Sequence, residues 1–376
     1  MMRLERRYAF RYLEITTGAP SYRTRIKQLR VVDETSAGNS LPPPENLSVR
    51  ERAIDRVSLE TMRGCMQQVF EDGPKRDRRL WLGDMWLQAK VNAFTFRHFG
   101  LIERSLYMIC GKADSEGLIP GAVLVWDGGE ARSCNVMTYA LLLGPMLRDH
   151  LAFSGNEAFC RELLPVALRQ QEIFRKQIDA EGVLHSKSDW WLFIDHVPKL
   201  KRETAALGVY IYSLRETAAL LRALKLPYEA LLAEAEQLSL AIRRRCWDPE
   251  RKLMLSDGPE RQFAWATQAW LILAGVPTEE QAHAMWQAVW SDPEAIRPVT
   301  PFLWSTVLEA GWALGEYEKV RAFILEYWGG MVDRGADTFW EVYVPETPLF
   351  SSYGDPLMNS ACHAWSCIPG YFLRSL

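Results

Sequence analysis

The chain has 376 residues, of which 48% are hydrophobic and 11% aromatic, and its formal net charge is −3. This length allows one large domain with an extensive buried core, and the nearly balanced charge gives no electrostatic reason to expect nucleic acid or a membrane surface as a partner. The first residues lack the apolar core of a signal peptide and no apolar run approaches the roughly 20 residues of a membrane span, so we expect a cytoplasmic protein if this start is native.

Residues 1–45 differ in pattern from everything after them. Apolar and polar residues alternate loosely over 8–17 and again over 26–32, as is typical of strands. Residues 38–44, with three consecutive prolines, are predicted to form a linker. Because two or three strands make a poor sheet alone, we expect 1–45 to pack on the rest of the chain or to be the remnant of a larger β-domain.

Residues 46–376 are predicted to form one helical domain. Ser48 with Glu51 and Thr278 with Gln281 have the spacing of capping boxes at helix starts. Twelve helical segments are expected, enough for six hairpins, which fits a closed barrel of six inner and six outer helices but equally a solenoid or bundle. They lie near 51–70, 84–99, 100–112, 134–153, 156–180, 203–223, 226–246, 260–273, 278–291, 300–313, 315–331 and 357–374.

The densest cluster of charged residues lies between Asp72 and Asp84. Pro74 and Gly83 argue against one continuous helix, so a structured loop leading into a helix near Asp84 is predicted. Loops on a rigid scaffold often carry catalytic groups, and Trp81 offers an apolar wall or a face for a sugar ring. A solvated charge cluster at a helix start explains the same residues.

The order of residues in this segment resembles the signature of the α-L-rhamnosidase family of glycoside hydrolases. That signature has an Asp, a Pro two residues later, an Arg followed by the general-acid carboxylate, then a Trp and a Gly-Asp pair. The matching residues here are Asp72, Pro74, Arg76, Asp77, Trp81, Gly83 and Asp84. The family usually has Glu at the acid position and often Cys before the Pro, where this chain has Asp77 and Gly73.

The resemblance implies an (α/α)6 barrel in which residues 1–45 are the remnant of a β-sandwich module. It also implies that Asp77 is the general acid and that Arg76 tunes the electrostatics of the site. Asp72 and Asp84 would bind sugar hydroxyls, and Trp81 would form part of an apolar floor.

A second carboxylate is needed for glycoside hydrolysis by inversion, at about 6.5–9.5 Å from the acid. The stretch from Gly335 to Glu341 offers Glu341 beside Trp340, and a packed helix terminus explains this pair as well. Its Gly-x-x-Thr-x-Trp-Glu order, after a Tyr-Trp-Gly segment at 327–329, resembles the general-base motif of rhamnosidases. The resemblance implies that Glu341 is the base and that Trp340 adds to the floor.

Two further segments resemble parts of the rhamnosidase sugar pocket. The aromatic and acidic run at 188–196 implies substrate binding by Trp191 and Asp195, although an irregular helix end gives the same pattern. The run at 360–367 implies that His363 and Trp365 contact sugar hydroxyls, whereas a histidine on an apolar helix is more often simply packed in the core. Asp127, after a loop-like Gly-Pro run, is a further candidate for binding.

Taken together, these patterns predict an all-α (α/α)6 barrel with a short N-terminal β-rich segment. The expected function is inverting hydrolysis of terminal α-L-rhamnosyl or related residues from a carbohydrate substrate. No cofactor or metal is expected, since the seven cysteines are scattered without the spacing of a metal site. The alternatives are a six-hairpin glycosidase for another sugar, a non-catalytic carbohydrate-binding protein of this fold and, last, a helical terpene-processing enzyme, which would need Asp-rich metal-binding runs.

Overall fold

A computed structural model describes residues 7–10, 12–16, 25–75, 78–124, 134–256 and 261–375. Within these ranges the chain is mostly helical, with four short strands. The helices are α1 (Val49–Cys65), α2 (Leu82–Phe94), α3 (Phe99–Cys110), α4 (Met137–Ala140), α5 (Leu143–Ser154), α6 (Glu157–Arg175), α7 (Glu203–Ala223), α8 (Glu229–Cys246), α9 (Trp265–Leu273), α10 (Glu279–Ser291), α11 (Pro301–Ala313), α12 (Tyr317–Asp333) and α13 (Pro369–Phe372). The strands are β1 (Arg79–Trp81), β2 (Ala122–Leu124), β3 (Trp247–Asp248) and β4 (Leu253–Met254), which form two antiparallel pairs.

Six inner elements form a closed ring. Going around it, α2 contacts α5, which contacts α7, then α9, then α11, and a 3-10 helix at Ala364–Cys367 followed by α13 closes the ring against α2. The outer helices α1, α3, α6, α8, α10 and α12 each pack on one or two of the inner elements. This is the (α/α)6 barrel that the sequence resemblance implied.

The alternation of inner and outer helices follows from the distribution of apolar residues. In α9 and α11 residues are buried on nearly all sides, as expected for a helix that is apolar all round. In α8 the buried residues fall on one stripe that includes Ala235, Leu238 and Ile242. The outer helices therefore shield the ring from solvent. None of the described helices is long and apolar enough to cross a membrane.

Both predicted capping boxes are present. In α10, Thr278 and Gln281 bond reciprocally at the helix start. In α1, the backbone N–H of Ser48 donates to Glu51 Oε2 at 2.8 Å, and Glu51 Oε1 accepts from Arg321 Nε of α12 at 2.5 Å. The hydrogen bond from Arg321 lowers the pKa of Glu51 to about 2, although burial acts in the opposite direction. Glu51 thus joins the first and last outer helices.

We expect Glu51→Gln to lower the free energy of unfolding by about 1–2 kcal/mol at neutral pH, because the ion pair with Arg321 is lost. The effect is no larger because Arg321 is partly exposed and water screens the pair. The folded-state pKa lies below the unfolded one, so this stability is present above about pH 4.5 and is lost as the pH falls towards 2. Urea unfolding at several pH values measures it, with Glu60→Gln on the same helix as the control. Equal stability of the parent and the Glu51 variant at neutral pH would contradict the role of this carboxylate.

The strands predicted at 8–17 and 26–32 are not found in the described residues of those ranges. Tyr12 and Val32 there are 85% and 78% exposed, and a strand without a neighbour leaves its backbone hydrogen bonds unmade. Residues from 35 onward do pack on the helical body, since Ser36 N–H donates to Met66 O at 2.9 Å and Leu41 N–H to Thr95 O at 2.9 Å. The assignment of 1–45 as a separate module stays a prediction.

The long C-terminal helix predicted over 357–374 is wrong. The chain instead forms 3-10 helices at Pro356–Met358 and Ala364–Cys367, then α13. Between them it runs extended beside residues 339–341, because Glu341 N–H donates to Ser360 O and His363 N–H to Phe339 O, both at 2.9 Å. Pairing with a distant segment has overridden the local helical pattern. The helix predicted over 134–153 is likewise divided into α4 and α5.

Candidate active site

A cavity opens at the mouth of the barrel where the inner helices begin. It encloses about 360 Å³ including its open entrance. Its lining residues precede or start four of the six inner elements, namely α2, α5, α7 and the 3-10 helix at Ala364–Cys367. The inner helices of successive hairpins run in the same direction, so these starts meet at one end of the barrel. The cavity is lined by Asp72, Trp81, Asp84, Tyr139, Trp191, Phe193, His196, Glu341, Tyr353, His363 and Trp365.

Glu341, the predicted base, is buried at the cavity wall with 2% of its surface exposed. Its Oε1 accepts a hydrogen bond from the hydroxyl of Tyr353 at 2.6 Å, and its Oε2 accepts from the backbone N–H of Ser360 at 2.7 Å. Its carbonyl oxygen accepts from Trp365 Nε1 at 3.0 Å. The carboxylate is therefore held in one orientation from both of its oxygens, as a group that must direct a water molecule needs to be.

Asp72 closes the loop that contains the predicted acid. Its Oδ1 accepts from the backbone N–H groups of Gly73 at 2.8 Å and Arg79 at 3.0 Å, and its own N–H donates to Arg79 O at 3.0 Å. The chain thus leaves Asp72 at Gly73 and returns to it at Arg79, beside the cavity. Arg76 and Asp77 lie outside the described residues, so their predicted roles stay predictions.

The same loop packs against the segment that carries His363. Ala364 N–H donates to Asp72 O at 2.7 Å, and Lys75 Nζ donates to Leu357 O at 2.6 Å. A Cβ atom at Gly73 would lie 2.7 Å from Cys362 O, so only glycine allows this approach. Two motifs almost 300 residues apart in the sequence therefore share one backbone interface.

Asp84 lies in the first turn of α2 with 2% of its surface exposed. Its Oδ1 is 3.5 Å from Nδ1 of His363, and its Oδ2 is 3.5 Å from the hydroxyl of Tyr139. A Cβ atom at Gly83 would lie 2.1 Å from the Tyr139 ring, which explains the glycine before this carboxylate. Asp84 and His363 thus both line the cavity and face each other, and their predicted roles in sugar binding stay predictions.

Aromatic rings form much of the remaining wall. Trp81 and Trp191 meet edge to face with ring centroids 6.2 Å apart, and Trp191 meets Phe193 at 5.3 Å. Phe193 stacks on Trp365 at 6.0 Å, and Trp365 lies 4.0 Å from the His363 ring. A cavity lined by both carboxylates and aromatic rings suits a ligand with hydroxyls and an apolar face, as sugars have.

Asp195, predicted to bind substrate, does not line the cavity. It is buried behind the wall, where Oδ1 accepts from Thr300 Oγ1 at 2.6 Å and Oδ2 from Val299 N–H at 2.9 Å. Burial raises its pKa to about 6 against the effect of these hydrogen bonds. Asp195 instead ties the segment that carries Phe193 and His196 to the start of α11.

Trp340, predicted as part of the floor, is also absent from the lining. Its ring packs edge on against Tyr343 with centroids 5.7 Å apart, and its carbonyl oxygen accepts from Ser366 Oγ at 2.6 Å. These contacts hold Trp340 away from the cavity that Glu341 enters. Four lining residues were not predicted as site residues: Tyr139, Phe193, His196 and Tyr353.

Metal-ligand geometry is lacking in the described ranges, which hold no group of three or more His, Cys, Asp or Glu side chains that could bind an ion. All seven cysteines are free. Asp127 lies outside the described residues. The lining of the cavity supplies carboxylates, the imidazoles of His196 and His363, the phenols of Tyr139 and Tyr353, and aromatic surfaces.

Comparison with known proteins gives one family. The profile described as bacterial alpha-L-rhamnosidase 6 hairpin glycosidase domain matches residues 51–375. A comparison with curated protein sequences found no match.

Solved structures with the same fold include a rhamnosidase from Klebsiella oxytoca with rhamnose bound, which is 39% identical with a TM-score of 0.85 over 90% of this chain. A GH78 family rhamnosidase of Bacillus sp. GL1 is 26% identical with a TM-score of 0.78 over 89% of this chain. An alpha-L-rhamnosidase from Dictyoglomus thermophilum, 14% identical with a TM-score of 0.72 over 91% of this chain, shows the fold alone. This chain spans 66%, 36% and 38% of these three proteins, respectively.

Proposed function

The chain belongs to the family of bacterial α-L-rhamnosidase six-hairpin glycosidase domains, and from this premise we propose that it hydrolyses terminal α-L-rhamnosyl residues with inversion at the anomeric carbon. The observation that carries the proposal is the meeting of Asp72, Asp84, Glu341 and His363 in one cavity with an aromatic wall. The rhamnose bound to the Klebsiella relative supports the choice of sugar.

In the proposed reaction, Glu341 takes a proton from a water molecule as its oxygen bonds to the anomeric carbon. Asp77 gives its proton to the glycosidic oxygen as the bond to the anomeric carbon breaks, and the aglycone leaves as an alcohol. Both carboxyl groups then exchange protons with solvent. The hydrogen bonds from Tyr353 and Ser360 that orient Glu341 support its role. The short sequence separation between Asp77 and Asp72, which lines the cavity, supports the role of Asp77.

Binding of the sugar is assigned to the other lining residues. Asp72, Asp84 and His363 are placed to bond hydroxyls, while Trp81 and Trp191 offer surfaces for the apolar face of the ring. Arg76 next to Asp77 is proposed to adjust the charge of the site. The free thiols support a reducing, cytoplasmic location.

The test is to incubate the protein with p-nitrophenyl α-L-rhamnoside and, in parallel, with the β-D-glucoside and β-D-glucuronide. We expect release of p-nitrophenol from the rhamnoside, with kcat/KM at least about tenfold above that for the other two, because the pocket must discriminate by transition-state contacts. Faster cleavage of another sugar would reassign the specificity. Rhamnose binding by calorimetry without turnover of any glycoside would replace the enzyme with a carbohydrate-binding protein.

A further inference from the structure

Tyr353 lies on an excursion of the chain whose two ends meet at the predicted base. Glu341 N–H donates to Ser360 O at 2.9 Å, so residues 342–359 leave and return at the same point. Asn359 holds the excursion together, since its Nδ2 donates to Phe350 O at 2.8 Å and its Oδ1 accepts from Ser351 Oγ at 2.9 Å. The segment is therefore an ordered loop with its own polar framework.

This loop is also tied to the loop of the predicted acid. Lys75 Nζ donates to Leu357 O at 2.6 Å and to Asn359 O at 2.8 Å. From this framework Tyr353 returns to the cavity, where its ring lies 5.7 Å from that of His196 and its hydroxyl 2.6 Å from Glu341 Oε1. With 42% of its surface exposed, Tyr353 stands at the entrance while its hydroxyl reaches the wall.

Among the described residues, two donors reach the carboxylate of Glu341, and they come from different sources. The donor to Oε2 is the main chain of Ser360, which no side-chain replacement removes, whereas the donor to Oε1 is the hydroxyl of Tyr353. Each carboxylate oxygen has about two acceptor positions, so Oε1 can bond Tyr353 and still accept a proton from water. A short hydrogen bond to an ionised carboxylate is among the stronger kinds. The phenol therefore fixes the rotation of the carboxylate and favours its charged form.

We propose that Tyr353 is a positioning residue for the reaction, which holds Glu341 ionised and turned towards the attacking water. The proposal rests on the proposed function of the site. Tyr353 acts on the rate through Glu341, so removal of its hydroxyl affects turnover more than sugar binding.

The variant Tyr353→Phe keeps the ring against His196 and removes only the hydroxyl. We expect kcat for the aryl rhamnoside to fall about 10- to 100-fold, the range for loss of one hydrogen bond to a charged group, while KM changes less than about threefold. The acid limb of the pH–rate profile should move to higher pH, because the ionised carboxylate loses a donor. A purely structural loss would lower the fraction of active protein without moving this limb.

The matched control is Tyr107→Phe. Tyr107 on α3 also donates to a glutamate, Glu162 at 2.7 Å, and is 43% exposed, but it does not line the cavity. This variant should retain the parent's kcat and pH profile.

A second test compares Tyr353→Phe in the parent and in the Glu341→Gln background. If the phenol acts through Glu341, it should have less than about a twofold effect once that carboxylate is gone, because coupled residues are not additive. An active parent with unchanged kcat and pH profile in Tyr353→Phe, or equal losses in both backgrounds, would overturn the role of Tyr353 and leave the proposed function standing. A parent without turnover would overturn both.

Discussion

Replacement of Glu341 by Gln should lower kcat/KM for aryl α-L-rhamnosides by about 10³-fold, within the range for loss of general-base catalysis. The amide has the same shape but cannot take a proton from the attacking water. Because the carbonyl oxygen of Gln can still accept from Ser360 N–H, the wall should keep its form and rhamnose should bind with nearly the parent's affinity. Steady-state kinetics and titration calorimetry measure the two effects separately.

The control for this variant is Glu346→Gln, which neutralises an exposed carboxylate on the same loop. It should behave like the parent. Retention of more than about a tenth of the parent's activity by Glu341→Gln would exclude Glu341 as the base, since a proton acceptor is worth at least about 10²-fold.

Replacement of Asp77 by Asn should have an effect that depends on the leaving group. For rhamnosides of alkyl alcohols we expect a loss of about 10³-fold, because the departing alkoxide needs the proton of a general acid. For the p-nitrophenyl glycoside the loss should stay below about tenfold, since p-nitrophenolate is a weak base and leaves with little assistance. The basic limb of the pH–rate profile should also disappear, as the proton donor is absent. Rates over a series of aglycones measure this dependence.

The series of aglycones contains its own control, because a general loss of folded or active protein would reduce every substrate by the same factor. Equal losses for alkyl and nitrophenyl glycosides would therefore assign Asp77 to binding or structure. The acid would then have to be sought among the other carboxylates of the cavity, Asp72 and Asp84.

Gly73, which precedes Pro74, departs from the signature of the family, and the structure shows a close contact at this position that requires glycine. Where a Cys is common in the family, Gly73 brings the main chain so close to Cys362 O that a Cβ atom would lie 2.7 Å from it. The loop of the predicted acid therefore lies directly on the segment that leads to His363.

Those parts of the fold that depend on local pattern were predicted correctly. The capping boxes at Ser48 and Thr278 and the apolar stripe of α8 follow from residues within one or two turns of each other. The closure of the ring does not follow from such patterns, because it needs contacts between α2 and the last residues of the chain. The resemblance to a known family selected the barrel over a solenoid or bundle, whereas the periodicity of apolar residues could not distinguish these folds.

Short motifs singled out Asp72, Asp84, Glu341 and His363, and these four side chains line one cavity, while their roles stay predictions. Residues that reach the cavity through long-range packing were not singled out. Tyr353 belongs to none of these motifs. Its hydroxyl reaches Glu341 only because the loop that carries it returns to Glu341 at Ser360, which no local pattern indicates.

The incorrect expectations have local physical causes. Asp195 belongs to a run of aromatic and acidic residues, and its sequence neighbours do not reveal that Thr300 and Val299 enclose its carboxylate. Trp340 was expected to line the cavity beside Glu341, but its ring packs against Tyr343. The N-terminal alternation of apolar residues was expected to mark strands, and none is found in the described residues of 8–17 and 26–32. A strand needs a neighbouring strand to pair with.

Inversion by a pair of carboxylates is tested most directly by the configuration of the sugar at the moment of release. Proton NMR of an α-L-rhamnoside mixed with the protein resolves the two anomers before they equilibrate. We expect β-L-rhamnose to appear first, followed by slow conversion to the α-anomer. If α-L-rhamnose appears first, a covalent intermediate has formed and Glu341 and Asp77 do not act as base and acid of a single displacement.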